Sequence, residues 1–520
     1  MHERFIRWLK FSISMVVLVS LATGTATFAV NAAQPTSGKY VAGDFHTHTY
    51  LTDGNKTEAE VVKNAFEKFG LDWMANSEHG GTSAKDPSGN AFAGSGGQFL
   101  DANGKKLDYT LWRWITLRDY SYPIVTSLQK QYPKNVLIQG FEWNVPTHEH
   151  ASVAIVSDSS NAVSDFEYMF DQNDLDTSRS FENLTKSNTT HKDAIAGAKW
   201  LETNYKSSSY FLLNHPSRKL KYSVSDIRDL NNAAPDVFFG MEGFPGHQKE
   251  TARGGYGSFS SDPSDIKNYN MDYYKARTYG GADYMTAKVG GLWDSLLGEG
   301  RKFWIFVNSD FHDSADTADF WPGEYAKSYT WVTDNKADAI VNGMRSGNSF
   351  AVQGDLINEL DFKAGANGKN TAIMGQTLNL NKGGSVKLTI RFKSPSVNNN
   401  KDKVQVNHID LISGNVTGKA SPGTAAYSSD TNESAKVIKS FTSKDWKSVS
   451  GWNEITWEVK NISNDIYFRL RGTNLSYNVP NETDAQGNPL IDDLVGQNNA
   501  DKAYADLWFY SNPIFVDAGR

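Results

Sequence analysis

Short apolar runs alternate with amphipathic segments over residues 40 to 351. The runs occupy residues 40–42, 71–75, 136–138, 210–213, 237–239 and 303–307. Strands that alternate with helices are typical of a parallel sheet or a barrel. We therefore predict an α/β domain over residues 38–355.

One helix between two of these strands is well signalled. Thr57 and Glu60 have the spacing of a capping box, and Gly70 marks the end of the helix. Apolar residues recur between them at helical spacing: Val61, Val62, Ala65, Phe66 and Phe69. The segment 40–75 thus predicts a strand, a helix and a strand.

The pattern changes after residue 355. Polar and apolar residues alternate over 385–392, 404–412, 452–459 and 466–470, and turn-forming residues separate these stretches. Alternation of this kind is typical of half-buried antiparallel strands. We predict a β-sandwich domain over residues 356–520.

Composition and charge exclude several classes of protein. The chain of 520 residues is long enough for two domains. Its formal charge is -7 and its Lys and Arg are scattered, so we expect no nucleic-acid partner. It has no cysteine, which excludes disulfides and thiolate metal ligands.

The first 33 residues resemble a secretion signal. Arg4, Arg7 and Lys10 precede a short apolar run over 11–22, and residues 30–32 offer a cleavage site. The run is shorter than the ~20 residues that span a bilayer. We expect a secreted, extracellular or periplasmic protein with no membrane span after cleavage; the alternative is an uncleaved anchor.

Histidines and carboxylates gather at the ends of the predicted strands. A single histidine there is usually structural, but this many in the same setting indicates a metal site. The residues are His46, His48, Asp53, His79, Glu142, His150, His215, Asp310 and His312. Residues two apart in a strand point to the same side, so His46 and His48 can reach one ion, as can Asp310 and His312. Imidazole and carboxylate ligands suit Zn, Mn or Fe.

These segments resemble the polymerase and histidinol phosphatase (PHP) superfamily. The likeness lies in His46-x-His48, Asp53-Gly54, Ser77-Glu78-His79, Gly140-Phe141-Glu142, Asn214-His215-Pro216 and Asp310-x-His312. The segment 506–515 is similar to the end of the secreted branch named after carbaryl hydrolase. The resemblance implies a distorted seven-stranded β/α barrel that holds two or three divalent metal ions.

The resemblance also implies how the ligands divide. One metal would take His46, His48, Glu142 and Asp310. A second would share Glu142 and add His150 and His215, although His148 competes with His150 for that place. A third would take Asp53, His79 and His312. Glu78 stands where many members have Asp, at a position that orients the neighbouring histidine. Asp53 stands where some members have His, which implies a lower affinity for the third metal.

The resemblance and the ligand types together imply a hydrolytic mechanism. Two cations bridged by Glu142 would share a water whose pKa falls to about 7 and supply hydroxide. His247 and His148 are candidate proton donors to the leaving group, and Glu242 ends another predicted strand at the pocket. Arg218 suits an anionic substrate, with a structural role as the alternative. Lys219, Lys221 and Lys288 are weaker candidates for attracting anions.

Three functions remain open at this point. The first is a phosphoesterase acting on a small anionic phosphomonoester or phosphodiester. The second is a carbamate, ester or amide hydrolase with the same metal site. The third is a secreted binding protein whose metal is structural. The sequence leaves the oligomeric state open.

The C-terminal domain has no residue set that suggests catalysis. His408 is expected at the surface or at a sheet edge. Its aromatic residues are expected in the core, with a carbohydrate-binding face as the alternative: Trp452, Trp457, Trp508 and Phe509.

Overall fold

The computed structural model describes residues 37–83, 85–90, 111–250, 252–259, 274–312, 319–366, 370–492 and 500–519. All of them belong to one compact unit. The predicted signal segment 1–33 lies outside the described residues. In the part of the chain that is described, no helix has both the length and the apolar character needed to cross a membrane.

Ten α-helices are described. They are α1 Glu58–Lys63, α2 Arg113–Thr116, α3 Tyr122–Gln131, α4 Asn161–Phe170, α5 His191–Asn204, α6 Val224–Ala233, α7 Tyr284–Ala287, α8 Leu292–Gly298, α9 Ala337–Ser346 and α10 Ala500–Ala505. A π-helical turn, Asn64–Lys68, extends α1. The predicted capping box is confirmed, because Thr57 and Glu60 bond each other's backbone N–H groups.

The strands alternate with these helices in the first part of the chain. They are β1 Lys39–Asp44, β2 Trp73–Ala75, β3 Val136–Ile138, β4 Gly140–Asn144, β5 His150–Ile155, β6 Ser209–Leu213, β7 Phe238–Phe244, β8 Thr278–Tyr279, β9 Ala282–Asp283, β10 Trp304–Val307, β11 Ala326–Val332 and β12 Ser349–Gln353. All six predicted apolar runs overlap strands of this set. The α/β class is confirmed.

The remaining strands lie after residue 355. They are β13 Glu359–Ala366, β14 Asn370–Ile373, β15 Thr377–Asn379, β16 Gly384–Lys393, β17 His408–Asn415, β18 Lys436–Thr442, β19 Lys447–Val449, β20 Trp452–Ile462, β21 Ile466–Thr473, β22 Trp508–Ser511 and β23 Ile514–Asp517.

Two sheets carry the strand ends at which the histidines lie. One has the order β10-β7-β6-β5-β4, and the other contains β11-β1-β2-β3. Four pairs are parallel, as predicted: β1–β2, β2–β3, β6–β7 and β7–β10. The strand β5 instead runs antiparallel to both β4 and β6. Its first residue, His150, therefore lies at the same edge as the last residues of its neighbours.

The distorted seven-stranded barrel is not confirmed, and no closed barrel is found among the described residues. The strand orders give two separate sheets. Isolated bridges nevertheless join the sheets beyond the strand ends, at Thr47–Phe311 and His79–Glu142. These two parallel bridges bring the residues that follow β1, β2 and β10 together with β4.

The C-terminal part contains two antiparallel arrays with a common core. A five-stranded sheet has the order β14-β13-β16-β20-β19, and β17 pairs with β18 and β21. Leu388 and Ile390 of the first array lie in one buried cluster with Leu411 and Leu470 of the second. The predicted sandwich and the boundary at residue 355 stay interpretations, since β12 pairs with β22 across that boundary.

His408 corrects one expectation. It is fully buried, and β17, on which it lies, is flanked by β18 and β21 rather than exposed at an edge. Trp508 and Phe509 are core residues, as expected. Trp457 is not a core residue, since it is 39% exposed with Lys439 over its ring, and Trp452 is only half-buried.

Candidate metal centre

All nine residues predicted as metal ligands lie together at the joined edge of the two sheets. We call this set the Glu142 cluster: His46, His48, Asp53, His79, Glu142, His150, His215, Asp310 and His312. Several of its members offer ligand atoms within 4.8 Å of one another, as a bound ion requires. They come from seven strand ends and loops, so folding alone assembles the cluster.

Glu142 lies at the middle of the cluster. Its Oε1 lies 3.2 Å from His46 Nε2, 3.1 Å from His150 Nδ1 and 3.2 Å from His215 Nε2. Its Oε2 lies 2.6 Å from His79 Nδ1. One carboxylate therefore contacts histidines on several sides, which is the arrangement of a bridging ligand.

Asp310 faces the deepest pair of histidines. Its Oδ1 lies 3.0 Å from His46 Nε2 and 3.3 Å from His48 Nε2, and those two nitrogens are 3.0 Å apart. All three side chains are almost fully buried. The group supplies three converging ligand atoms at the floor of the site.

A second group of ligands lies at the open side. Asp53 Oδ2 is 3.2 Å from His79 Nε2, and its Oδ1 is 3.4 Å from His312 Nε2 and 3.8 Å from His48 Nδ1. The Asp53 side chain is 57% exposed, whereas that of Glu142 is 1% exposed. The cluster thus opens to solvent on the side of Asp53.

The donor set fits divalent transition metals. Four buried atoms of the cluster make no hydrogen bond of acceptable angle, although three of them lie close to another cluster atom: Glu142 Oε2, Asp310 Oδ1, His150 Nδ1 and His215 Nδ1. Buried polar groups are normally satisfied, so these atoms are available to coordinate a cation. Imidazole nitrogens and carboxylate oxygens are the ligands that Zn, Mn and Fe accept.

The carboxylates of the cluster are held in the form that binds cations. Burial would raise the pKa of Glu142, but the nearby His150, His46 and His79 hold it well below its ordinary value. Burial has the same effect on Asp310, where His46 and His247 hold the pKa low. Both side chains are therefore ionised at neutral pH.

The histidines divide into two kinds. Burial lowers the pKa of His48 well below its usual value, and burial with the charge of Arg218 lowers that of His215 to about 3. Burial also opposes the protonation of His46 and His79, but the carboxylates around them raise their pKa values, for His79 to about 10. A divalent cation would reverse that effect, because its charge displaces the ring protons.

Glu242 lies behind the ligands rather than among them. Its Oε1 accepts hydrogen bonds from His46 Nδ1 at 2.7 Å and from Asn308 Nδ2 at 2.7 Å, and its Oε2 accepts from the His215 N–H at 2.6 Å. The side chain is fully buried. The predicted catalytic residue Glu242 is therefore placed as a positioning residue for His46 and His215.

Asp44 supports the same wall of the site and was missed by the sequence analysis. Its carboxylate accepts the backbone N–H groups of His46 at 3.0 Å and of Ser309 at 2.9 Å. These bonds join the end of β1 to the end of β10. Burial raises the pKa of Asp44 to about 7.

Glu149 is a second residue that the sequence analysis missed. It is 1% exposed, and its Oε1 lies 3.7 Å from His215 Nδ1 and 3.8 Å from His150 Nδ1. Arg218 Nη2 and Lys219 Nζ each donate to the same oxygen at 3.0 Å. Although burial opposes ionisation, the charges of His215, His150, Arg218 and Lys219 lower the pKa of Glu149 to about 2.

His247 contacts the cluster through Asp310. Its Nε2 lies 3.0 Å from Asp310 Oδ2, and its Nδ1 lies 2.5 Å from Asp319 Oδ1. Burial would lower the pKa of His247, but Asp319 and Asp310 raise it well above the usual value. Asp319 had no sequence signal beyond its charge.

Three residues of the site have left-handed backbone conformations. The φ angles are +30° at His215, +47° at Asp310 and +52° at His247. Such conformations are uncommon for non-glycine residues and concentrate at functional sites. They turn these side chains into the cluster just after β6, β10 and β7.

The remaining predicted residues lie outside the cluster. His148 is bonded to His191 Nδ1 through its Nε2 at 2.8 Å, so His150 and not His148 is the histidine beside Glu142. Lys221 contacts His148 through its backbone carbonyl. Lys288 is exposed at the end of α7.

Comparison with known proteins does not assign the chain to a family. No protein-family model and no curated protein matches the chain. A solved structure that is similar to the chain is that of a two-domain protein from Bacteroides vulgatus ATCC 8482 containing a predicted PHP-like metal-dependent phosphoesterase. It is 12% identical, covers 88% of this chain and 94% of its own, and gives a TM-score of 0.33. A TM-score of that size carries no weight for function, which must be inferred from the site itself.

Proposed function

We propose that this protein is a secreted, metal-dependent hydrolase of the PHP superfamily, and that it acts as a phosphoesterase. The observation that carries the proposal is the position of Glu142, whose two oxygens lie within 3.2 Å of four histidines. We propose that two or three ions of Zn, Mn or Fe occupy the cluster, and that the bridged sheets act as a distorted barrel.

Each group of residues in the cluster would bind a different ion. His46, His48 and Asp310 would hold one ion at the buried floor, and His150 and His215 would hold another with Glu142 as the shared ligand. Asp53, His79 and His312 would hold an ion at the open side. When bound, such ions lower the pKa of a coordinated water and polarise a substrate oxygen.

The exposed side of the cluster is the proposed entrance for substrate. The side chains of His79, His150 and His312 are 28%, 20% and 20% exposed. Together with Asp53 they border the open face. A substrate oxygen can approach the ions there without any movement of the buried ligands.

His247 is the proposed proton donor. Its ring is held between Asp310 and Asp319, and both carboxylates favour the protonated imidazole. The ring centroid lies 5.2 Å from that of His312, at the rim of the cluster. A proton on His247 can therefore reach a leaving group bound at the open side.

Arg218 favours an anionic substrate over a neutral one. Its Nη2 is bonded to Glu149, but its buried Nε has no hydrogen-bond partner. A guanidinium matches the paired oxygens of a phosphate. Carbamate, ester or amide hydrolysis is the second candidate, because the same ions polarise a carbonyl oxygen equally well.

A panel of substrates tests the proposal. We expect the protein reconstituted with Mn or Zn to cleave p-nitrophenyl phosphate or bis-p-nitrophenyl phosphate faster than a naphthyl carbamate, and a chelator to stop the reaction. Preference for the carbamate would assign the second function. If the metal-loaded protein cleaves none of the three substrates, a binding protein with a structural metal is favoured instead.

A further inference from the structure

We propose that His148, His191 and Asp226 form an additional binding site for one zinc ion, separate from the Glu142 cluster. His148 lies in the loop between β4 and β5, His191 is the first residue of α5, and Asp226 lies in the first turn of α6. Each offers a ligand atom, and the three atoms lie within 4.8 Å of one another. We call this set the loop site.

The ring of His148 is oriented for coordination. Its Nδ1 lies 2.8 Å from the carbonyl oxygen of Lys221, to which it donates a hydrogen bond. The ring also stacks on Tyr222, with centroids 4.9 Å apart and an interplanar angle of 11°. Histidines that bind metals commonly donate their other N–H to a carbonyl or a carboxylate. The Nε2 of His148 therefore presents a lone pair to the loop site.

The ring of His191 is oriented by a hydrogen bond through its Nε2, so that its Nδ1 faces His148. Its Nε2 lies 3.4 Å from Asp229 Oδ2, which can accept the hydrogen of that nitrogen. The Nδ1 of His191 then also presents a lone pair, 2.8 Å from Nε2 of His148. Two lone pairs at this distance repel each other unless a cation or a shared proton lies between them.

Asp226 supplies the third ligand. Its Oδ2 accepts hydrogen bonds from the backbone N–H and the hydroxyl of Ser223, at 2.8 Å and 2.6 Å. Its Oδ1 lies 3.9 Å from His191 Nε2, too far for a hydrogen bond. Asp226 belongs with the two histidines to a group whose ligand atoms lie within 4.8 Å of one another. Two imidazoles and one carboxylate are a common zinc ligand set and a poor one for calcium.

An ion at the loop site would join three segments that are distant in the sequence. It would fix the loop before His150, which is a member of the Glu142 cluster. Tyr222 connects the two sites, because its hydroxyl donates to the carbonyl of Glu149 at 2.6 Å. The expected role is structural: the ion holds the loop and the ends of α5 and α6 in place.

Zinc content and thermal unfolding of the full chain test the proposal. The background is Glu142→Gln, so that ions of the Glu142 cluster do not obscure the loop site. After dialysis against zinc, we expect the double variant Glu142→Gln/His191→Gln to retain one zinc per chain fewer than Glu142→Gln. Zinc should raise the Tm of Glu142→Gln more than that of the double variant.

A second variant keeps the test interpretable if the first does not fold. In the same Glu142→Gln background, His148→Gln removes the other histidine of the loop site and should cause the same loss of one zinc. If either folded double variant binds as much zinc as Glu142→Gln alone, the two histidines share only a proton and the proposal is wrong. This result would leave the proposed hydrolase function untouched, because that function depends on the Glu142 cluster.

Discussion

Glu242 accepts the Nδ1 hydrogen of His46 at 2.7 Å, and this bond turns the other ring nitrogen toward Asp310 and Glu142. A carboxylate behind a ligating histidine fixes the tautomer of the ring and makes the ring a stronger ligand. Because His46 follows β1 and Glu242 lies on β7, which belong to different sheets, the bond also joins the two sheets at the site.

Replacing Glu242 tests this arrangement. The carboxylate accepts hydrogen bonds from three donors, His46, Asn308 and the His215 N–H. In Glu242→Gln, the amide NH₂ must face at least one donor, whichever way it is turned. We expect metal affinity and kcat/KM to fall about 10- to 100-fold, as measured by metal titration and steady-state kinetics.

The matched control for this change is Glu458→Gln, which alters an exposed carboxylate on β20. Both measurements should be unchanged in this variant. Wild-type metal affinity in Glu242→Gln would show that the ring of His46 needs no such partner.

Arg218 distinguishes the two candidate reactions. In Arg218→Met, Glu149 keeps its ion pair with Lys219, so the buried carboxylate is not left without a cation. We expect KM for a phosphomonoester to rise about 10-fold or more, with a smaller change in kcat, because a charged hydrogen bond to the substrate is lost. Hydrolysis of a neutral carbamate should not change. An equal loss with both substrates would mean that Arg218 acts only through Glu149.

The α/β class and most of the strands could be predicted because their apolar runs are continuous and the helix between them is capped. The direction of β5 could not. His150–Ile155 reads as an ordinary buried strand, and only tertiary pairing makes it antiparallel to β4 and β6. The joining of the two sheets could not be predicted either, because it depends on single bridges outside the strands.

The convergence of the histidines in the Glu142 cluster could be predicted because histidine at a strand end is a conspicuous signal. The supporting carboxylates could not, since Asp44, Glu149 and Asp319 are indistinguishable in the sequence from solvated acidic residues. Glu149 had one sequence signal, its place between His148 and His150, but the cations that bond to its buried carboxylate, Arg218 and Lys219, lie 69 and 70 residues away.

Glu58 gives a prediction on stability rather than activity. It is 5% exposed, and in the described part of the chain neither carboxylate oxygen has a hydrogen-bond partner. Burial, with the charge of Glu78, raises the pKa of Glu58 from 4.5 to about 8. The folded state therefore favours the neutral acid, and its stability falls as the pH rises from 4.5 to about 8.

Glu58→Gln should remove this loss. Thermal or urea unfolding should show the variant more stable than wild type at pH 9, by on the order of a few kcal/mol, with little difference at pH 4. Glu67→Gln, at an exposed position of the π-helical turn that extends α1, should not show this dependence. A constant difference between Glu58→Gln and wild type across this pH range would contradict the buried, neutral acid.

The most direct test of the account is the metal content of wild type, Glu142→Gln and Glu458→Gln, purified without chelator and reconstituted with Mn or Zn. We predict two or more ions per chain in wild type and in Glu458→Gln, and a loss of two ions and of turnover in Glu142→Gln. Fewer than two ions per wild-type chain, or turnover that survives in Glu142→Gln, would contradict a metal centre built around Glu142.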